Sequence, residues 1–492
     1  VSRAGSRRTG APKRRAARGT PAATRRLGGE DSGLLALDLA DQPMSILFMI
    51  VLGQEAGDGE RLTVTDLRER VEKRLDYLPA LRWRLVPVPG RLHHPLWVDD
   101  PDFDIANHVS SVRIPAPGDT SQLAESYARL IARPISRSRP MWDLTLLDGL
   151  SDGRQAIVWR FHHCLMDGLA SLTALGRFFA SDEELSVIEP VAYRPGELPT
   201  RRELLGDALA EQAHSWRQLP ELMRRTRTAV SGRDAFAASS PVPVPRAPDD
   251  VPPCSLNDFG PRRSFSMLEL DLDDLRLIRE VAGVTYTDVA LAAVAGGLRA
   301  VMTSRGELPS RPLVAECPIS LEDPDAPERL WGNRFTNVLT SLATDIDDPW
   351  ERLARIATVT AAAREGFETV GGQLWDDWLE TLPPFLSMST MRGHYRRRRA
   401  HRELANANVV MTSVRGPSQP WRLGQFVAEE VWGAGPPANG VGSLVAFISY
   451  AGKVFVGINS VEGSLSDPGL FVRAARETVA ELLREASARR AG

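Results

Sequence analysis

The stretch Phe161-His162-His163-Cys164-Leu165-Met166-Asp167-Gly168 gathers two imidazoles, a carboxylate and a glycine in one short piece of chain. An imidazole has an ordinary pKa of about 6.5, so near neutral pH it is mostly free base and can take a proton from an attacking hydroxyl or amine. Neighbouring residues of a strand point to opposite faces, so only one of the two histidines can enter a given cleft. We assign His163 as the general base. His162, on the face shared with Val158, has a supporting part. Asp167 stands where a helix would begin, a position at which exposed backbone donors and the helix dipole favour a carboxylate, and its role is orienting. Gly168 gives the backbone freedom to turn there. Cys164 reads as small core filler.

The elements that must position these groups are legible on either side. From 155 to 162, Ile157, Trp159 and Phe161 alternate with Val158, Arg160 and His162, the period of a strand. Beyond Gly168, the residues Leu169, Leu172, Leu175, Phe178 and Phe179 recur at helical spacing. The histidines therefore end a strand, and a loop carries the chain into a helix.

Composition bounds the setting. With 492 residues the chain can fill two cores, and 43% hydrophobic with 25% charged residues is a globular balance. A net charge of -3 gives no general case for nucleic acid. The longest strongly apolar run, 46–52, is far short of the roughly 20 residues that cross a bilayer. Cys164, Cys254 and Cys317 are widely spaced without C-x-x-C, and the remaining histidines lack ligand spacing, so no metal site is expected. Phosphate-loop, zinc-protease and serine-elbow motifs are missing.

Four regions follow along the chain. Residues 1–26 are expected to be a disordered basic tail, with nine Arg or Lys and no acid. Residues 27–189 form a first mixed domain carrying the histidines, with helical patterns through Leu67 to Leu78 and Leu123 to Ile131. Residues 190–262 are a connector with a polar helical piece and a proline-rich loop. Residues 263–492 form a second mixed domain closed by a helical segment from Pro468. The fold class is α+β, in mixed layers.

With its surroundings, HHxxxDG resembles the bacterial wax ester synthase/diacylglycerol acyltransferase family, itself similar to chloramphenicol acetyltransferases and peptide-synthetase condensation domains. Matching segments run in order: Gly33-Leu34-Leu35-Ala36-Leu37-Asp38, Pro43-Met44, Pro140-Met141-Trp142, Pro318-Ile319-Ser320-Leu321, Gly332-Asn333-Arg334 and Ser449-Tyr450-Ala451-Gly452. The resemblance implies two chloramphenicol-acetyltransferase-like domains in a pseudo-dimer, with a catalytic tunnel at their interface. It implies transfer of a fatty acyl group from long-chain acyl-CoA, as co-substrate and with no cofactor or metal, to diacylglycerol or a long-chain alcohol. It places Pro140, Met141 and Trp142 in a tunnel or structural motif. A cytoplasmic protein in peripheral contact with a membrane or lipid droplet, without nucleic acid, fits this reading.

Two departures stand out. Where the family has an asparagine-aspartate pair, this chain has Thr287-Asp288, and where it has asparagine-valine-proline-glycine-proline, this chain has Ser413-Val414-Arg415-Gly416-Pro417. Thr287, Asp288 and Ser413 are the oxyanion and tunnel candidates, and the hydroxyls of Thr287 and Ser413 can each donate a hydrogen bond. Arg396, Arg397, Arg398 and Arg399 form a cluster that is either a solvated face or a contact for lipid or CoA phosphates. Two other readings stay open on the residues: a carrier-protein-dependent acyl or condensation enzyme of secondary metabolism, and a divergent, weakly active lipid-binding paralogue.

Overall fold

The computed structural model describes residues 24–54, 61–323, 325–370, 374–401, 405–437 and 440–491. Two six-stranded mixed sheets organise them. In the first, the order is Arg422–Leu423, Phe426–Ala434, Ser45–Gln54, Gln155–His162, Trp142–Asp148 and Val109–Arg113. In the second it is Phe335–Ser341, Val314–Ser320, Val409–Arg415, Ser443–Tyr450, Lys453–Val461 and Arg263–Asp271. A small third sheet joins Thr24–Arg26, Leu96–Asp99 and Trp83–Val86.

The histidine strand, Gln155–His162, lies between two antiparallel neighbours in the first sheet and is buried at every residue. One face carries Ile157, Trp159 and Phe161 into the aromatic core, where Trp159 meets the ring of Phe178 edge-on at 4.8 Å. The other buries Arg160, a cation that is tolerable there because Asp143 pairs with it and the Leu130 and Arg133 carbonyls accept from it. Pro140-Met141-Trp142 is structural. The Met141 carbonyl accepts from the His162 amide, Trp142 pairs with Phe161 in register, and the Trp142 indole donates to the Leu81 carbonyl at 2.7 Å. None of the three lines the central cavity, so the tunnel role does not hold for them.

Three expectations need correcting. Thr24–Arg26 is a strand paired with Leu96–Asp99, so the expected tail does not reach residue 26; residues 1–23 lie outside the described residues. The connector contains two helices, Arg201–Trp216 and Leu219–Ser239, the second packed on the helix Pro349–Val370. Most consequential, the boundary at 263 does not separate the two sheets. The strand Phe426–Ala434 leaves the second half and pairs with Ser45–Gln54 over eight residue pairs, completing the first sheet from across the molecule. Its pairing partner lies more than 370 residues away in the chain, so no local pattern of the sequence reveals the exchange.

This exchanged strand also packs on the second sheet. A Cβ at Gly457 would lie 2.3 Å from the Gly433 carbonyl oxygen, and one at Gly433 would meet Ile448 at 2.6 Å. The backbones approach too closely for any side chain. Gly457→Ala is therefore expected to cost about 1–3 kcal/mol through overpacking, read as a lower urea midpoint; an unchanged midpoint would mean the sheets can separate freely there.

Candidate active site

The histidine strand ends at His162, and the helix Gly168–Phe179 follows its N-cap, Asp167. Between them His163 turns out of the sheet into a cavity of about 830 Å³ that lies between the two halves of the molecule. Its floor is apolar, with Ile46, Phe48, Val410 and Ile448 among its residues.

The His163 Nδ1 lies 2.9 Å from the Asn333 Oδ1. The Asn333 Nδ2 donates to the Asp31 Oδ1 and to the His163 carbonyl, both at 2.7 Å, so its amide orientation is dictated by two acceptors. The Oδ1 must then accept, the proton sits on the His163 Nδ1, and Nε2 keeps its lone pair. Burial lowers the imidazole pKa below its ordinary 6.5, with the Asp167 charge and the Asn333 bond opposing. Desolvation thus keeps His163 a free base at neutral pH.

His162 is fully buried and faces away. Its Nδ1 accepts from the Cys164 amide at 3.1 Å, and its Nε2 faces the Asp38 carboxylate at 3.3 Å. Burial alone would raise Asp38, but His162, the Met44 amide and Arg137 together bring it down to about 2. Cys164 is also buried, and burial holds its thiol well above the ordinary range, unsuited to nucleophilic work.

Asp167 ties the halves together. Its Oδ1 caps the helix by accepting from the Ala170 amide, while its Oδ2 accepts from the Arg329 guanidinium at 2.6 Å and the Arg334 amide at 3.0 Å. Gly332, with φ +77° in the left-handed region, bridges to Met166 and lets the Gly332-Asn333-Arg334 turn lie along the histidine loop. Gly168 is the first helical residue, without a positive φ, so the expected turn role does not hold. A Cβ there would instead press on Val414 of the facing strand at 3.4 Å.

Of the oxyanion candidates, only Ser413 lines the cavity. Thr287 and Asp288 do not. They sit in the first turn of the helix Tyr286–Ser304, which packs against the C-terminal helix, and Asp288 is engaged in a capping box with Thr285. Arg396 and Arg397 are exposed on the helix Pro384–Ala400 and do not line the cavity, whereas Thr390, Met391 and His394 of the same helix do. The side chains of Arg398 and Arg399 lie outside the described residues.

Residues to which the sequence reading gave no role complete the site. Burial pushes Glu30, on the cavity wall, up to about 9, with the Asp376, Asp31 and Asp167 charges adding to it and Arg329 opposing. Burial likewise raises Asp31 to about 7 and Asp376 to about 6. Asn333 and Asp38 stood in segments already singled out, Gly332-Asn333-Arg334 and the opening motif. Glu30 and Arg329 carried no signal of their own.

Comparison with known proteins gives three results. Residues 27–290 match the wax ester synthase/diacylglycerol acyltransferase catalytic domain, and residues 331–483 match the C-terminal domain of the same family. A Mycobacterium tuberculosis protein assigned as a diacylglycerol O-acyltransferase is 29% identical over 445 residues, covering 90% of this chain and 92% of its own length. Among solved structures, the wax ester synthase/diacylglycerol acyltransferase from Marinobacter aquaeolei VT8 superposes with a TM-score of 0.62 at 22% identity, covering 94% of this chain and all of that one. The starter condensation domain of rhizomide synthetase superposes at 0.54 with 12% identity, covering 94% of each chain. These last two likenesses speak for the fold.

Two expectations follow from the site. Asn333→Leu should leave His163 present but loosely held, lowering kcat by about ten- to a hundredfold, the scale of a small misplacement. In the intact protein the acid limb of kcat/KM should fall below pH 6.5 because the base has a lowered pKa. A steady-state pH profile of both proteins checks this. For Glu30 the sign is as follows. The unfolded carboxyl ionises near 4.5 and the folded one near 9, so the folded state holds the extra proton between these values and stability declines as pH rises through the window. Glu30→Gln should raise the melting temperature, by little at the acid end of that window and by more towards its alkaline end; a gain independent of pH would sink the assignment.

Proposed function

Since the chain belongs to the wax ester synthase/diacylglycerol acyltransferase family, we propose that its cavity holds a long-chain acyl-CoA beside a lipid alcohol, with His163 the general base of a direct acyl transfer. The reaction class is acyl transfer from acyl-CoA to a hydroxyl; the acceptor is diacylglycerol or a long-chain alcohol, giving triacylglycerol or wax ester. The observation that carries the reading is the His163 imidazole, its Nδ1 proton committed to Asn333 and its Nε2 left for the cavity.

In this mechanism Nε2 takes the acceptor's hydroxyl proton as its oxygen attacks the thioester carbonyl carbon, forming a C–O bond. The resulting oxyanion needs a donor. Thr412 is placed to supply it, since its register partner Ala446 also lines the cavity, whereas Ser413 pairs with Phe447 of the second core and turns its side chain to the opposite face. When the intermediate collapses the C–S bond breaks, and the protonated imidazole returns its proton to the leaving CoA sulfur. Every step is a proton transfer or an addition and elimination at a carbonyl, so neither a metal nor a prosthetic group enters the reaction. A cavity of about 830 Å³ is near the top of the usual range for small-molecule sites, roughly 300–1,000 Å³. It has room to hold both reactants together, and a bound acyl chain on its apolar floor would displace water from beside the thioester.

Among the described residues no single helix is long and apolar enough to cross a membrane. The one pair that passes jointly is bent by 106°, and its longer helix is largely buried in the second core. Peripheral contact is supported instead by the rim. Trp375, which also lines the cavity, is 60% exposed, and Phe385 and Leu386 are exposed nearby in the chain, with Arg396 and Arg397 on the same helix as the last two. Apolar residues with neighbouring cations suit a membrane or lipid-droplet surface.

Thiol release from a long-chain acyl-CoA should depend on added diacylglycerol or hexadecanol and should fall by about 10²–10⁴-fold in His163→Ala, the usual contribution of a general base. Release without acceptor, or equal release in both proteins, would overturn the transferase reading. Faster turnover of a carrier-protein thioester would favour condensation chemistry.

A further inference from the structure

Arg415 stands where two cavities meet. It ends the strand Val409–Arg415, two residues past Ser413, and it lines both the catalytic cavity and a second, outward groove of about 340 Å³. The other residue common to both is Leu169, exposed on the first turn of the capped helix, so the two spaces adjoin between that helix and the end of the strand. Arg415 itself is exposed, and among the described residues it pairs with no carboxylate. The backbone that carries it is fixed. The Gly416 amide donates to the Ser449 carbonyl at 2.8 Å, and a Cβ at Gly416 would lie 2.6 Å from that oxygen.

The groove is also a built surface. The Trp421 indole stacks in parallel on Phe179 with ring centres 5.2 Å apart, and its backbone amide donates to the Tyr450 hydroxyl at 2.6 Å. Arg177 lies on the same wall, but Glu328 stands 3.8 Å from it and neutralises part of its charge; Glu184 is a further acid there. Of the two guanidiniums that line the groove, Arg415 is therefore the one without a carboxylate partner among the described residues.

The chemistry of the donor says what that anion is. An acyl-CoA places its thioester at one end of a thin pantetheine arm and its phosphates at the other. Phosphates cannot follow the thioester into an apolar cavity, because unpaired buried charge is too costly. They must come to rest where the arm emerges, and a planar guanidinium is suited to binding phosphate oxygens in pairs there. We propose that Arg415 binds the phosphates of the acyl-CoA donor at the mouth of the cavity, with the nucleotide end lying in the groove beside Trp421. This rests on the acyl-CoA reading given above.

The test compares three donors with one acyl chain: acyl-CoA, its 3′-dephospho form and acyl-pantetheine, which has no phosphate. In Arg415→Gln, KM for acyl-CoA should rise by about tenfold or more, the weight of a charge-assisted hydrogen bond, with kcat unchanged and acyl-pantetheine kinetics unaltered. An effect retained with the dephospho donor assigns the contact to the diphosphate, and one lost with it to the 3′-phosphate. Calorimetric binding of CoA alone should weaken by a similar factor. An unchanged KM and CoA affinity, or an equal rise with acyl-pantetheine, would overturn the proposal. The transferase reading fails separately, as acceptor-independent release in the unaltered protein, and CoA binding still decides the role of Arg415 in that event.

Discussion

A chain of hydrogen bonds from Asp31 through Asn333 to His163 fixes the tautomer and orientation of the base, and the rest of the site is arranged around it. Asp31 lies on the helix Gly29–Leu37, Asn333 in the second half of the chain and His163 just past the histidine strand, so the imidazole is held only once the halves have docked. Docking in turn has to satisfy polar groups in the seam. The Asp167 carboxylate does this by capping its own helix on one side and accepting from Arg329 and the Arg334 amide on the other. The exchanged strand Phe426–Ala434 makes the arrangement permanent, since it is hydrogen-bonded into one sheet while packed against the other.

So many acids in one seam would repel one another if all were ionised, and their environments divide them. Asp38 has Arg137, the Met44 amide and His162 around it and stays ionised; Asp167 has a guanidinium and two amides. Glu30 and Asp31 have burial first of all against ionisation, with Asp376, Asp31 and Asp167 adding to it for Glu30 and Asp167 for Asp31, and they hold protons to about 9 and about 7. Differing surroundings give identical functional groups different states, as in other paired-carboxyl sites. The outcome near His163 is a wall rich in neutral hydrogen-bonding groups, which keeps the imidazole from being drawn into the protonated form.

Much of this was legible in the sequence where the signal is local. Period-two alternation located the strand of Gln155–His162, the spacing of Leu172, Leu175 and Phe178 located the helix after it, and the alternation separated His163 from His162 by face. What was not legible depends on segments distant in the chain. No local pattern says that Phe426–Ala434 pairs with Ser45–Gln54, that Arg329 reaches Asp167, or that Glu30 is buried among other acids. The same limit explains the misplacement of Thr287 and Asp288. The chemistry of their side chains suited an oxyanion, but whether a helix turn faces a cavity or a neighbouring helix is decided by tertiary packing.

The two departures from the family pattern consequently differ in weight. At 287–288 the capping box between Thr285 and Asp288 preserves the helix start, and the change lies away from the cavity wall. At 413–415 the change falls on the wall itself. Along the strand Val409–Arg415, Val410, Thr412 and Val414 share the cavity face with Leu444, Ala446 and Ile448, Ser413 lies on the opposite face with Phe447, and Arg415 ends the strand exposed. One hydroxyl among apolar residues, with a cation at the strand's end, suits an acyl chain and its thioester with a phosphate-bearing arm beyond them. A proline at 415 would have offered that arm no charge. Donor selection in this chain is therefore concentrated in one strand, while the base and its hydrogen-bond chain, built from other segments, are left unaltered by the substitution.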